Sequence, residues 1–142
     1  MSELFVGEWD LEFSENFAEY LEDVGVNPFL RAIATSARPT ICISIEDGKW
    51  TIKTKTAMRT LVLEFRLDEE FEDCTPDGRQ MISIVRKIDD RRLEQRQQPK
   101  KKGQVASLIT RYIDDEGHFV VELCALKQNG HTARRVHRKR LR

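Results

Sequence analysis

The sequence predicts a mainly β fold, a ten-stranded antiparallel up-and-down β-barrel capped by a helix-turn-helix lid. Three observations predict it. From Thr40 onward the chain repeats one unit, an alternating apolar and polar run followed by a turn signal. Helical periodicity is confined to the stretch before Pro39. The third observation is a mismatch: 34% of residues are charged and mean hydropathy is -0.54, which suits a chain of many strands only if the inner face of the sheet is itself partly polar. At 142 residues the chain is expected to form one domain over 1–142, long enough for a sizeable core.

The opening strand starts at Gly7 and leads into the lid, expected at about residues 16–36. Asn16 has Glu19 three residues on, the spacing at which cap side chain and carboxylate each satisfy a free N–H of the first turn. Phe17, Tyr20, Leu21 and Val24 follow at i, i+3, i+4 and i+7 as one apolar stripe. Gly25 then supplies a left-handed stop. Asn27 followed by Pro28 restarts a helix, because proline at the first helical position wastes no donor. Phe29, Leu30, Ile33 and Ala34 make the second stripe, which Pro39 ends. Helices of about two turns are too short to stand alone, so both must borrow stability from what they cover.

The strands follow. Thr40 to Glu46 and Lys49 to Thr56 flank the two-residue turn Asp47-Gly48. Thr60 to Leu67 alternates Leu61, Leu63, Phe65 and Leu67 with positions expected to be polar or exposed. Glu70 to Cys74, the turn Thr75 to Gly78, and Arg79 to Ile88 form the next hairpin. Arg92 to Gln98 precedes a lysine-rich loop, after which Gln104 to Asp114, His118 to Leu126 and His131 to Leu141 complete the set. Such a meander removes its edges by closing. Ten strands enclose more room than side chains fill, since about eight already hold a small ligand. The residues alone therefore imply a hollow barrel that carries a small hydrophobic molecule.

Net charge is zero, so nothing steers the whole chain toward nucleic acid or an anionic membrane. The distribution is uneven: the first 30 residues hold eight Asp or Glu and no Lys or Arg, and the last twelve hold six Lys or Arg and no acid. Pairing of the first and last strands would set these charges face to face across the closing seam. Cys42, Cys74 and Cys124 are odd in number and far apart, as expected of reduced thiols in a cytoplasmic protein. Met1 to Glu8 has neither the basic nor the apolar segment of a secretory leader.

Specific residues carry a resemblance. Gly7-Glu8-Trp9-Asp10-Leu11, Ser14, Asn16-Phe17, Tyr20-Leu21 and Gly25-Val26 resemble the opening signature of the cytosolic fatty-acid-binding protein family, the intracellular lipid-binding proteins. Arg38-Pro39-Thr40, Ile52-Lys53-Thr54, Phe65-Arg66-Leu67 and Thr75-Pro76-Asp77-Gly78-Arg79 extend the likeness over nearly the whole chain. The resemblance implies a clam-like ten-stranded barrel that holds a long-chain fatty acid or similar lipid, with the helix pair over a portal. Members hold the carboxylate on an Arg-x-Tyr of the last strand. Arg135-Val136-His137 falls there, so Arg135 keeps the guanidinium and His137 replaces the tyrosine. His137 is expected to donate one bond and to titrate near neutral pH, which a phenol does not. The second polar position of the family falls on Thr110, with Arg111 its outward neighbour, unless a register slip turns Arg111 inward.

Around the portal the resemblance assigns Phe17, Tyr20 and Leu21 from the first helix, and Leu30, Ile33 and Ala34 from the second. Met58, where many members have Phe, and Asp77 come from facing turns, while Val121 and Leu123 are expected cavity walls. No enzyme, cofactor or metal site is expected, because His118, His131 and His137 have no Ser, Cys or acid partner at a recognisable spacing. A nucleic-acid-binding barrel is the rival suggested by residues 134–140, but alternation points half of those charges inward and no aromatic platform adjoins them. The expected protein is a cytoplasmic monomer with transient membrane contact. A variant of the same reading makes it a lipid-signalling shuttle to a nuclear receptor, its basic tail serving as an import signal.

Overall fold

The computed structural model describes residues 2–141. A 3-10 turn at Ser2–Phe5 leads to β1 (Gly7–Glu15), then α1 (Phe17–Asp23) and α2 (Pro28–Ser36). Nine strands follow: β2 (Thr40–Glu46), β3 (Lys49–Lys55), β4 (Thr60–Arg66), β5 (Phe71–Cys74), β6 (Gln80–Asp89), β7 (Arg92–Pro99), β8 (Ser107–Ile113), β9 (Phe119–Ala125) and β10 (Thr132–Lys139). They form one sheet in the order β4-β3-β2-β1-β10-β9-β8-β7-β6-β5, every neighbour antiparallel. Side chains span the gap between β4 and β5, where Phe65 stacks on Phe71 at 5.8 Å and on Trp50 at 5.8 Å.

The seam between β1 and β10 carries the opposite charges that the sequence sets at its two ends. Arg140 holds Asp10 at 2.6 Å and Glu8 at 3.2 Å, and Arg138 holds Glu12 at 3.5 Å. These pairs are solvent-exposed and individually weak, but together they occupy Arg138 and Arg140 of the basic segment that the nucleic-acid reading needed free.

A bulge decides what β1 shows to the interior. Leu11 pairs with His137, yet Phe13 pairs with Val136, so Glu12 is the extra residue. Simple alternation from Trp9 and Leu11 would turn Phe13 inward. Instead Phe13 lies on the outer face, 49% exposed, and Ser14 comes opposite Arg135.

Two apolar clusters occupy the ends. At the closed end the 3-10 turn inserts Phe5 edge-on to Trp50 at 5.6 Å and to Phe119 at 6.1 Å, and Trp9 Nε1 donates to the Phe5 carbonyl. Under the lid, Tyr20, Leu21, Val24 and Val26 pack with Ala125 and Ala133. The cap of α2 forms as its residues require: Asn27 Oδ1 accepts from Leu30 N–H at 2.9 Å, with Pro28 beside it, worth about 1 kcal/mol. The α1 cap does not. Asn16 sits at φ 60 with no cap bond from its side chain, whose Nδ2 donates to the Thr132 carbonyl instead.

Candidate functional site

Between the two clusters the inward face turns polar. The ladder of four strand pairs aligns Ser14, Arg135, Val121, Arg111 and Leu93 in one cross-strand row. Residues directly opposite share a face, so Arg111 points into the barrel with Arg135. Thr110 lies opposite Glu94 and Glu122 on the outer face. The expected inward position of Thr110 is therefore taken by Arg111, because a shift of one residue exchanges the faces. Two strand spacings separate the Arg111 and Arg135 backbones, about 10 Å, within reach of one shared head group.

Each guanidinium is held. Arg135, 8% exposed, donates to Ser14 Oγ at 3.0 Å and lies 3.9 Å over the Phe17 ring. Burial, with the nearby Arg38 cation adding to it, pushes its pKa down to about 10. Arg111 donates to Gln95 Oε1 at 2.7 Å. Burial pushes it down to about 10 as well, against the pull of Asp73. Both remain cations at neutral pH. Gln95 Nε2 in turn donates to Asp73 Oδ2 and Ser83 Oγ, and Gln97 Nε2 donates to the same carboxylate at 2.9 Å. This internal network escaped the sequence reading. Its signal was available as Leu93, Gln95 and Gln97 at period two in β7, matching the inward positions of β8.

His137 lies one pleat nearer the closed end, in the row of Leu11, Phe119 and Ile113, and is 1% exposed. Its Nδ1 is 3.0 Å from the Phe119 carbonyl oxygen. A carbonyl only accepts, so Nδ1 carries the proton and Nε2 is bare, with no partner. Burial pushes the His137 pKa down to about 4, outweighing the Phe119 bond that favours the charged ring. Both expectations for this residue are corrected. Its donor is spent on the backbone, and it does not titrate near neutral pH.

The lid residues divide. Phe17 and Tyr20 reach the interior, the Tyr20 hydroxyl sharing a 2.7 Å hydrogen bond with Ser107, and Leu21 is buried. Leu30 and Ala34 pack partly against the same cluster, while Ile33 and Met58 stand open to solvent, Met58 at 81% exposure. Those two form a rim rather than a wall. Asp77 closes on its own turn, accepting from Thr75 Oγ1 and from Arg79 Nε and Nη2. Burial alone would raise its pKa; these bonds hold it below the ordinary value. Val121 is buried in the arginine row, and Leu123 lies between the two clusters.

No family model matches the chain. Its sequence is 40% identical over 115 residues to fatty acid-binding protein homolog 5 of Caenorhabditis elegans, covering 81% of this chain and 84% of that protein. It is 37% identical over 107 residues to fatty acid-binding protein type 3 of Fasciola hepatica, covering 75% and 81%. The chain belongs to the fatty-acid-binding protein family. Solved structures of the family and of related lipid carriers share the architecture. Apo lipid binding protein 8 of Caenorhabditis elegans superposes with a TM-score of 0.91 at 25% identity over 99% of this chain and 98% of that one. The Schistosoma mansoni fatty acid binding protein in complex with arachidonic acid gives 0.87 at 28% identity over 99% and 98%. These relatives are binding proteins by name rather than enzymes.

For a fatty-acid-binding protein, the histidines bring little chemistry. Each of the two outer ones does find acids in space: His131 meets Asp23 at 2.9 Å, and His118 lies 3.4 Å from Glu12 and 3.7 Å from Asp114. Asp114, Glu116 and His118 are close enough to share a cation, but Asp114 Oδ1 already accepts from the N–H groups of Glu116 and His118 and so shapes a turn. No helix among the described residues is long and apolar enough to cross a membrane.

Proposed function

We propose that this protein reversibly binds a long-chain fatty acid inside the barrel, with the carboxylate received by Arg111 and Arg135 and the acyl chain running toward the lid. One observation carries the reading: two inward guanidinium groups stand on one cross-strand row between apolar ends, with Asp73 the acid that offsets them. Buried cations gain most from an anion that takes parallel charge-assisted bonds. The relatives named for fatty acids support the choice of ligand.

The acyl chain supplies most of the affinity, at most about 0.8 kcal/mol per methylene buried. Phe29, Ile33 and Met58, all exposed at the rim, supply an apolar surface for transient membrane contact. Titration with oleate tests the assignment. Arg111→Ala and Arg135→Ala should each weaken binding by roughly tenfold or more, the worth of a hydrogen bond to a charged group. Unchanged affinity in both variants removes the head-group site, and wild-type protein that binds no oleate removes the carrier reading.

A further inference from the structure

Two guanidinium groups share the barrel interior with one acid. Arg111 and Arg135 stand on one inward row. Asp73 of β5 faces the same interior, where its Oδ2 accepts from Gln97 Nε2 at 2.9 Å, Ser83 Oγ at 3.1 Å and Gln95 Nε2 at 3.2 Å. Those three donors are uncharged, so they hold the carboxylate in place without neutralising it. Gln95 turns its Oε1 to Arg111 at 2.7 Å, so Asp73 is linked to that guanidinium through one side chain, and its attraction acts there against the effect of burial. Other ionisable groups nearby do not alter the count. His137 is neutral at neutral pH, its pKa pushed down to about 4 by burial. Asp77 and Arg79 pair with each other at 2.9 Å, Arg38 is exposed, and Lys87 and Lys139 stand in solvent at the closed end.

Among the described residues the cavity therefore carries two cations and one anion, which leaves one net positive charge. Uncompensated buried charge is costly, and a ligand with one negative charge removes it. A doubly charged head group would leave an excess of negative charge beside Asp73, and a neutral one would leave the cation unmatched. We propose that Asp73 is the specificity-determining residue of the cavity, an internal counter-ion that selects a lipid with a singly charged head group. This rests on the fatty-acid carrier reading and deepens it by naming what sets the charge of the ligand. Asp73 acts on charge and not on shape, so the effect of removing it should scale with the charge of the ligand.

The test titrates tetradecanol, tetradecanoic acid and tetradecyl phosphate into wild type and Asp73→Asn by calorimetry at pH 8, where the three carry no charge, one negative charge and nearly two. Asparagine keeps a carbonyl oxygen for the Gln95, Gln97 and Ser83 donors and removes only the charge. Wild type should bind the acid tightest of the three. In Asp73→Asn the alcohol should keep its affinity and the acid should gain roughly tenfold, the Coulomb effect of one unit charge across a protein cavity. The phosphate should gain by roughly the square of that factor. A common factor for all three ligands, or no gain for the two charged ones, overturns the proposal and leaves the carrier reading standing. Wild type supplies a readout independent of variant folding: phosphate bound as tightly as the acid also overturns the proposal. Wild type that binds none of the three removes the carrier reading together with it.

Discussion

The two lid helices share an apolar stripe in sequence and part company in the fold. α1 is fastened at both ends and in the middle. Phe17 covers Arg135, Tyr20 bonds Ser107, and Asp23 Oδ2 accepts from both the backbone N–H and the ring of His131. α2 contains no buried residue, leaves Phe29 at 74% exposure, and is attached chiefly through α1 and a bond from Arg31 to the Val26 carbonyl. An amphipathic pattern therefore records a capacity to cover apolar surface, and only the neighbours determine whether the covering is a fixed roof or a movable one. α1 is the roof over the arginine row. α2 is the element that can part from the barrel at least cost, since a segment opens most easily where little apolar surface must be uncovered.

The contrast is broken most directly at Tyr20. Tyr20→Ala should destabilise by about 3–4 kcal/mol through lost packing and the Ser107 bond, and Phe29→Ala by no more than about 0.5 kcal/mol. Urea unfolding that finds similar losses in both helices would erase the distinction.

The next effect lies beneath α1. His137 has a folded pKa depressed to about 4 from 6.5, so the unfolded chain binds its proton first. The stability this residue contributes is fully present above pH 6.5 and is lost as pH falls through about 4, a change of about 3 kcal/mol. His137→Phe should flatten that part of a pH-dependent denaturation series. Fatty-acid affinity should not change between pH 5.5 and 8 on account of this ring.

Smaller still is the latch at the end of α1. Burial alone would raise the Asp23 pKa, but the two His131 bonds outweigh it and hold the carboxyl below its usual value. Asp23→Asn should cost about 1–2 kcal/mol and speed hydrogen exchange in the last turn of α1, leaving α2 as before. The smallest effect on stability should accompany a kinetic one. Phe29→Ala combined with Ile33→Ala should alter fatty-acid entry and exit rates in stopped flow with a change in unfolding free energy within about 0.5 kcal/mol; unaltered rates would deny α2 its gating role.

Much of the fold was legible in the chain itself. The hairpin at Asp47-Gly48, the Asn27-Pro28 start of α2 and the stripe of α1 each depend on a few adjacent residues. Their outcome is set by local backbone preference and by periodicity. The inward position of Arg135 followed from the resemblance of Arg135-Val136-His137 to a family motif, since Thr132 to Lys139 shows no clean alternation of its own. That of Arg111 did not follow, because Leu108 and Ile109 are both apolar and give no indication of which face is inner. The acid partners of His118 and His131 were invisible for another reason: Glu12 and Asp23 are brought to them only by the closure of the sheet.

By itself the sequence determined ten strands, two short helices, an acidic first strand ready for a basic last one, and a guanidinium on β10. Tertiary structure alone decided the inner surface. The bulge at Glu12 turned Phe13 out and set Ser14 against Arg135, cross-strand pairing put Arg111 inside in place of Thr110, and the Phe119 carbonyl chose which His137 nitrogen carries the proton. The reason is the two-residue period of a strand. Local chemistry specifies that a segment is extended, but the face it shows depends on register, and register is settled by the partner strand.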